Sequence, residues 1–449
     1  MASDKDQILP IVTAQPSLGE VLQEVQNGGI PYDKFWVSCY KESEPSVHGK
    51  IHVELDEQDR DLLKLSSENE SIHIDFIGNG KHGYEYNVSC PSLGVSKTRL
   101  LLPSQEYSDP QRSAPGKPQR ITAFDISPDS SRFATGFTDG SVYIHPTSSA
   151  PRPPSFLPRK TDLSGKIYSR PQLSEVSTLK FFPSNRVILA SGLDFTLSIV
   201  SADLPEISPS APTKVEPVRT LRSHTRPVTA TEILGVGRNV VSASLDATVK
   251  KWDVASGSVI ATLATSAASL SMTLGKKPGD QPHSLDEPQS IGMETSVVCC
   301  GLQDGTFELL DLSSNSSIYK STILTQSPLL SIAAEGNFLA TGSASGLISV
   351  FDIRSIDTPL TSVIRNQASI TDIEFLPPSS GSDDLVFIVS SGDGLPFAAN
   401  LGPDGLISVT ELIGADCDPV RTVCARRSGA RDEIWLSSDD GIVRRYDYN

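Results

Sequence analysis

Residues 221–253, LRSHTRPVTATEILGVGRNVVSASLDATVKKWD, restrict the fold more than any other stretch of the chain. His224 stands near the start. An alternating run, Asn239–Ser244, leads into the tight turn Leu245, Asp246, Ala247, and Thr248–Asp253 returns as a strand carrying Val249 and the Trp252 ring. Two short strands around a turn, closed by Trp-Asp, are the pattern of one WD-repeat propeller blade. The polar residues suit that geometry. His224 reaches the Asp246 carboxylate, its second ring nitrogen meets the Ser242 hydroxyl, and that hydroxyl accepts from the Trp252 indole N–H. Such a chain satisfies each buried polar group in it, so His224 and Asp246 read as structural rather than catalytic.

The turn after the second strand recurs along the chain. It stands at Asp139 in ATGFTDGSVYIH (blade one, 121–146) and at Asp194 in LASGLDFTLSIV (blade two, 176–203). Asp246 marks blade three, and Asp304 in VVCCGLQDGTFELLDL marks blade four. Blade five (329–353) has Ser345 in LATGSASGLISVFDI, where the others have Asp. Asp393 in IVSSGDGLPFAANL belongs to blade six (370–401), and Asp440 in IWLSSDDGIVRRYDY to blade seven (420–448). These positions lie 41 to 58 residues apart, around or above the ~40–45 residues of a four-stranded blade. Insertions at 146–171, 204–217 and 264–294 account for the excess and are expected to be surface loops. Ile144, Ile199 and Leu309 replace Trp252 in other blades, so most blades rely on apolar packing and repeat patterns should find fewer than seven. The expected fold is all-β: a seven-bladed WD40-type β-propeller preceded by a small α+β, mostly β, domain.

The expected division is 1–94 for that domain, 95–103 for a closing strand, 104–119 for a Pro/Ser/Gly-rich linker and 120–449 for the propeller. Within the first unit, 17–26 reads as an amphipathic helix with Ser17 as N-cap and Gly28-Gly29 as the stop. Strands are expected at 34–40, 50–55, 72–77 and 84–88, with a turn of helix in the acidic 56–70. The chain ends after the third strand of blade seven, so its outer strand must come from elsewhere if no raw edge is left. VSKTRLLL, within 95–103, is the predicted closing strand.

The unit holds His48, His52, His73 and His82, but their spacing does not make a zinc site. GNGKHG at 78–83 lacks the Lys-Ser/Thr ending of a phosphate loop and reads as a hairpin turn. No metal and no cofactor is expected. No nucleophile, base and orienting group come together, so the chain does not read as an enzyme. The net charge is −16, from 54 acidic and 38 basic residues. That argues against nucleic acid and anionic membranes and suits a protein partner with a basic face. The six cysteines show no C-x-x-C pair and read as reduced thiols, and the N-terminus shows no secretory signal, which together predict a cytoplasmic protein, with nuclear residence also compatible.

The leader segments KFWVSC and SVHGKI, together with the central blade and its GRNVVSAS run, resemble the proteasomal ATPase-associated factor family. That resemblance implies a non-enzymatic assembly chaperone of the proteasome regulatory particle. Such a protein binds the C-terminal domain of an AAA+ ATPase subunit of the base, the one usually called number six, escorts it through assembly, and leaves before the mature particle forms. It acts as a monomer on its own, with other assembly chaperones as further partners. A generic propeller adaptor, for a ubiquitin ligase or a ribosome-assembly complex, would share the blade features and differ in the leader. The expected binding surface is an acidic top face made of Asp139, Asp194, Asp304, Asp393, Asp416, Asp418, Asp439 and Asp440. Of these, Asp416, Asp418 and Asp439 are expected to be least committed to their own backbone. The structural polar chain is His224, Ser242, Asp246 and Trp252.

Overall fold

A computed structural model describes residues 7–56, 63–68, 71–80, 83–109, 118–148, 155–163, 167–205, 212–275, 277, 297–322, 326–377, 385–402, 407–415, 417–428 and 431–448. Seven sheets of four or more strands, among the described residues, hold the seven repeats. The first strand of each touches the first strand of the next, and Val420–Ser428 touches Ile121–Ile126 to close a ring. A β-bulge falls near the second residue of each first strand, as the register shifts in Ile121/Ala123, Val176/Thr178 and Val228/Ala230 show. Bulges re-aim a side chain, and here the hydroxyls beside them stitch blade to blade. Thr122 Oγ1 donates to Val176 O at 2.8 Å, Ser177 Oγ to Val228 O at 2.6 Å and Thr229 Oγ1 to Ser269 O at 2.9 Å. The core is split into clusters between neighbouring sheets rather than gathered in one centre.

The closing strand is not the predicted one. Val95–Leu101 runs parallel to Ile407–Leu412, the outer strand of blade six, and antiparallel to Gly83–Cys90. Blade six therefore continues into the N-terminal unit as a seven-stranded sheet, and a boundary at 94 cuts through it. The reason is burial: Leu100 packs with Tyr86 and Val88, while Leu101 packs with Leu412. Blade seven is completed by Gln105–Ser108, inside the supposed linker, paired antiparallel with Ile442–Tyr448. Tyr107 holds it there, fully buried and stacked on Trp435 at 5.6 Å.

The insertions are also more than loops. Ile167–Ser169 is the outer strand of blade one, with Thr213–Lys214 beyond it. Arg159–Asp162 adds to Gln105–Ser108 as a fifth strand of blade seven. Most of 264–294 lies outside the described residues, though Ser269–Gly275 is the first strand of blade four.

In the N-terminal unit, Ile11–Ala14, Tyr32–Tyr40, Val47–Leu55 and Leu63–Ser67 form a four-stranded sheet. Leu63–Ser67 is a strand where a helical turn was expected, because Leu63 and Leu65 alternate onto the unit's core. The helix Leu18–Gln26 buries Leu18, Val21, Leu22 and Val25 on one face. Ser17 does not cap it by its side chain; its hydroxyl instead accepts from Gln15 Nε2 at 2.7 Å. Gly28, with φ 71°, supplies the left-handed stop. The hairpin His73–Gly80 to Gly83–Cys90 spans the GNGKHG stretch.

Candidate functional site

The rim that carries the turn aspartates follows from chain geometry. Gly140, beside Asp139, has φ 82°, and a Cβ there would lie 2.2 Å from Gln172 O in the loop leading to blade two. Leu173, from the same loop, donates its amide to Asp194 at 2.9 Å. The turns and the inbound loops thus share one rim. Asp194 also accepts from Thr196 Oγ1 at 2.9 Å, and Asp304 from Thr306 N at 3.1 Å and Oγ1 at 2.6 Å. Asp139 takes the Ser141 amide at 3.0 Å, and Asp393 the Leu395 amide at 3.1 Å and Asn366 Nδ2 at 2.6 Å. Each holds its turn through one oxygen, as Asx turns do. Asp139 and Asp304 are nevertheless exposed.

Blade seven gathers the acidic corner. Asp440 accepts from Ile442 N at 2.9 Å and pairs with Arg444 at 2.6 Å. Asp439 was expected to be uncommitted, and it is not: Arg421 grips both its oxygens at 2.8 Å. A bidentate arginine pair fixes geometry and neutralises the charge, so Asp439 is a poor contact candidate. Asp416 lies outside the described residues. Asp418 is half-buried, and its carboxyl is pushed upward by burial and by Asp440 and Asp439, against the pull of Arg444.

Blade three carries the polar chain. His224 Nδ1 lies 2.8 Å from Asp246 Oδ2, and Nε2 lies 2.8 Å from Ser242 Oγ. The Trp252 indole N–H donates to the same Ser242 oxygen at 2.8 Å. One arrangement satisfies all four groups: Nδ1–H donates to Asp246, and Ser242 donates to Nε2 while accepting from Trp252. Burial lowers the His224 pKa despite Asp246 beside it, so the ring is neutral.

The family description "WD domain, G-beta repeat" matches residues 108–145 and 215–253, which hold blades one and three. The chain carries WD40 repeats. Proteasomal ATPase-associated factor 1 of Homo sapiens is 30% identical over 192 residues, covering 42% of this chain and 43% of the relative. The proteins of the same name from Bos taurus and Gallus gallus are 29% and 28% identical, again over 42% of this chain and 43% of the relative. The match thus spans less than half the length of each relative. The resemblance read from the leader and the central blade meets the same family in these relatives.

The WD40 ring has a second polar region that repeat reading missed. Its central channel, about 900 Å³, is lined by the first strands. Arg426 bridges Asp125 of blade one at 3.0 Å and Glu374 of blade six at 3.1 Å. Lys180 of blade two pairs with Glu232 of blade three at 3.1 Å, and Glu232 holds the lysine pKa up. Asp372 accepts the Val423 amide at 3.1 Å; burial, aided by Glu374, pushes its carboxyl up to about 7. These contacts tie adjacent blades. A signal was present: Asp125, Lys180, Glu232 and Glu374 each take the fifth place of an otherwise largely uncharged first strand.

Two histidines of the N-terminal unit, His48 and His52, are engaged locally. His48 lies 2.8 Å from Ser38 Oγ, and His52 lies 2.7 Å from Glu68. Among the described residues no group of three or more His, Cys, Asp or Glu is placed to hold a metal. His82 and His283 lie outside the described residues. Cys39, Cys90, Cys299, Cys300 and Cys424 are buried in strands, whereas Cys417 is exposed in a loop. Burial pushes the Cys39 and Cys299 thiols up to about 12, which suits inert packing groups.

Proposed function

We propose that this protein is an assembly chaperone. It binds the C-terminal domain of an AAA+ ATPase subunit of the proteasome base, with number six favoured, and escorts it during regulatory-particle assembly. The observation that carries this reading is the similarity to proteins named proteasomal ATPase-associated factor 1. The net charge of −16 and the exposed Asp139 and Asp304 on one rim support docking against a basic surface. Charge complementarity of this kind speeds encounter and selects among partners more than it sets affinity. The role is one of binding and release, without covalent chemistry.

The test is affinity purification of the tagged chain from cells, followed by titration of the purified protein with each isolated base ATPase C-terminal domain. Selective recovery and binding of one ATPase is the expected result. Recovery of ubiquitin-ligase or ribosome-assembly components with no ATPase would replace this reading with the adaptor one.

A further inference from the structure

A cleft of about 710 Å³ lies between the N-terminal sheet and blade six. One wall is the strand Ile11–Ala14 with Trp36 and Tyr40 beside it, and the other is formed by 393–396 and 412–415. Ile11–Ala14 is the edge of its sheet. Strand alternation fixes which of its groups face outward. Gln15 N donates to Trp36 O at 2.9 Å, so residues 13 and 15 face the neighbouring strand while 12 and 14 face away. The Val12 amide, facing away, is already taken by Glu411 at 2.9 Å. The Ala14 amide is the next donor along that edge, and it has no partner among the described residues. A half-buried edge donor beside apolar walls is a template for another strand.

The chemistry of the walls narrows the occupant. Ala14, Trp36, Leu395 and Ile413 offer apolar surface, and Trp36 is 48% exposed. Among the described residues no Lys or Arg lines the cleft, whereas Asp393 and Glu411 do. Glu411 is matched by Arg365, but the partners of Asp393 are neutral: Asn366, Ser391 and the Leu395 amide. The negative charge at Asp393 therefore favours a cationic group on the occupant. At about 3.3 Å per residue the four-residue edge is ~13 Å long, enough for four or five residues of extended chain.

We propose that this cleft binds an extended peptide segment, apolar in its centre and basic at its flanks, which joins the sheet as a further strand along Ile11–Ala14. Main-chain hydrogen bonds supply affinity and the walls select side chains, as in other cases of strand addition. The site does not depend on the rim docking proposed above, and its test involves no ATPase.

The experiment is fluorescence anisotropy of the full chain with the fluorescein-labelled peptide KLTVK-amide. Saturable binding is expected, and the ELTVE counterpart should bind more weakly. Ala14→Pro removes the outward donor without touching the ladder to the Trp36 strand, and edge strands tolerate proline. It should weaken binding about tenfold, the worth of one or two hydrogen bonds, and Trp36→Ala should weaken it too, with melting temperatures kept. A peptide N-methylated at its threonine or valine supplies a measure independent of protein folding, and at least one of the two should lose affinity. Absence of saturable binding, or indifference to both methylations and to Ala14→Pro, overturns the proposal. A concentration-dependent dimer abolished by Ala14→Pro would overturn it in favour of a second copy of this chain.

Discussion

His224 sits with its side chain wholly buried between a carboxylate and a hydroxyl, and the neutral ring is what the site accepts. Replacing it with alanine strands Asp246 and Ser242, which should cost about 1–3 kcal/mol. Trp252→Ala should cost about 3–5 kcal/mol, because the ring is fully buried. The pH dependence follows from the same contacts. The folded pKa of His224 lies below the usual 6.5, so the unfolded chain binds the extra proton first. Its contribution is whole above about pH 6.5 and declines as the pH falls below that value. Asp246 acts in the same sense at lower pH: burial opposes its ionisation, but hydrogen bonds from Thr248, Thr225 and His224 outweigh it. Urea unfolding at pH 7.5 and 5.5 checks this. Wild type should lose more stability between the two than His224→Ala, and equal losses would refute the neutral-histidine account. Sequence alone exposed this chain because its four members lie within one repeat.

Elements were legible where they repeated or carried a clear period of their own, as the helix Leu18–Gln26 does, and illegible where a short strand occurred once without one. The alternating runs and their turns recur, so second and third strands could be placed by alignment within the chain. Gln105–Ser108 has no counterpart to align with, and its Pro/Ser-rich surroundings read as linker. One buried residue, Tyr107, decides its place, in contact with Trp435 and 5.1 Å from Phe133. Tyr107→Ala should therefore cost about 3–5 kcal/mol, as for other large buried aromatics. The comparison is thermal unfolding beside Thr213→Ala, at an exposed added strand of blade one; similar small effects would mean that Gln105–Ser108 does not close the ring. The N-terminal segment has its own anchor. Arg365 pairs with Glu411, donates to Pro10 O at 3.1 Å and lies 4.2 Å from the Phe397 ring centre. Both side chains are nearly inaccessible. Glu411→Ala leaves a buried arginine without its counter-charge and should destabilise by about 3–5 kcal/mol. Glu411→Ala combined with Arg365→Met should recover part of that loss, and no recovery would mean that the pair is not the source.

At the scale of the whole molecule, the turn positions fixed which residues share the rim, but spacing carries no information about arginines arriving from neighbouring loops. Arg421 neutralises Asp439 and Arg444 pairs with Asp440, so the acidic face is thinner at blade seven than the aspartate positions suggest. Asp139, Asp304 and Asp418 remain as the best sites for long-range attraction. They need different substitutions. Asp139 and Asp304 hold their turns through one oxygen, so Asn removes the charge while keeping an acceptor. Asp418 has no such turn bond among the described residues, so Lys can reverse its charge. The triple variant should keep the wild-type melting temperature within a few degrees. If a basic ATPase surface docks on this rim, its association rate should drop several-fold at low salt, with a smaller change in dissociation. The difference should shrink as ionic strength rises past about 0.1 M, where exposed charges are screened over ~10 Å. Stopped-flow association with the ATPase C-terminal domain at two salt concentrations measures both effects. Equal association rates for wild type and variant at low salt would remove the rim as the docking face while leaving the chaperone role to be carried by another surface.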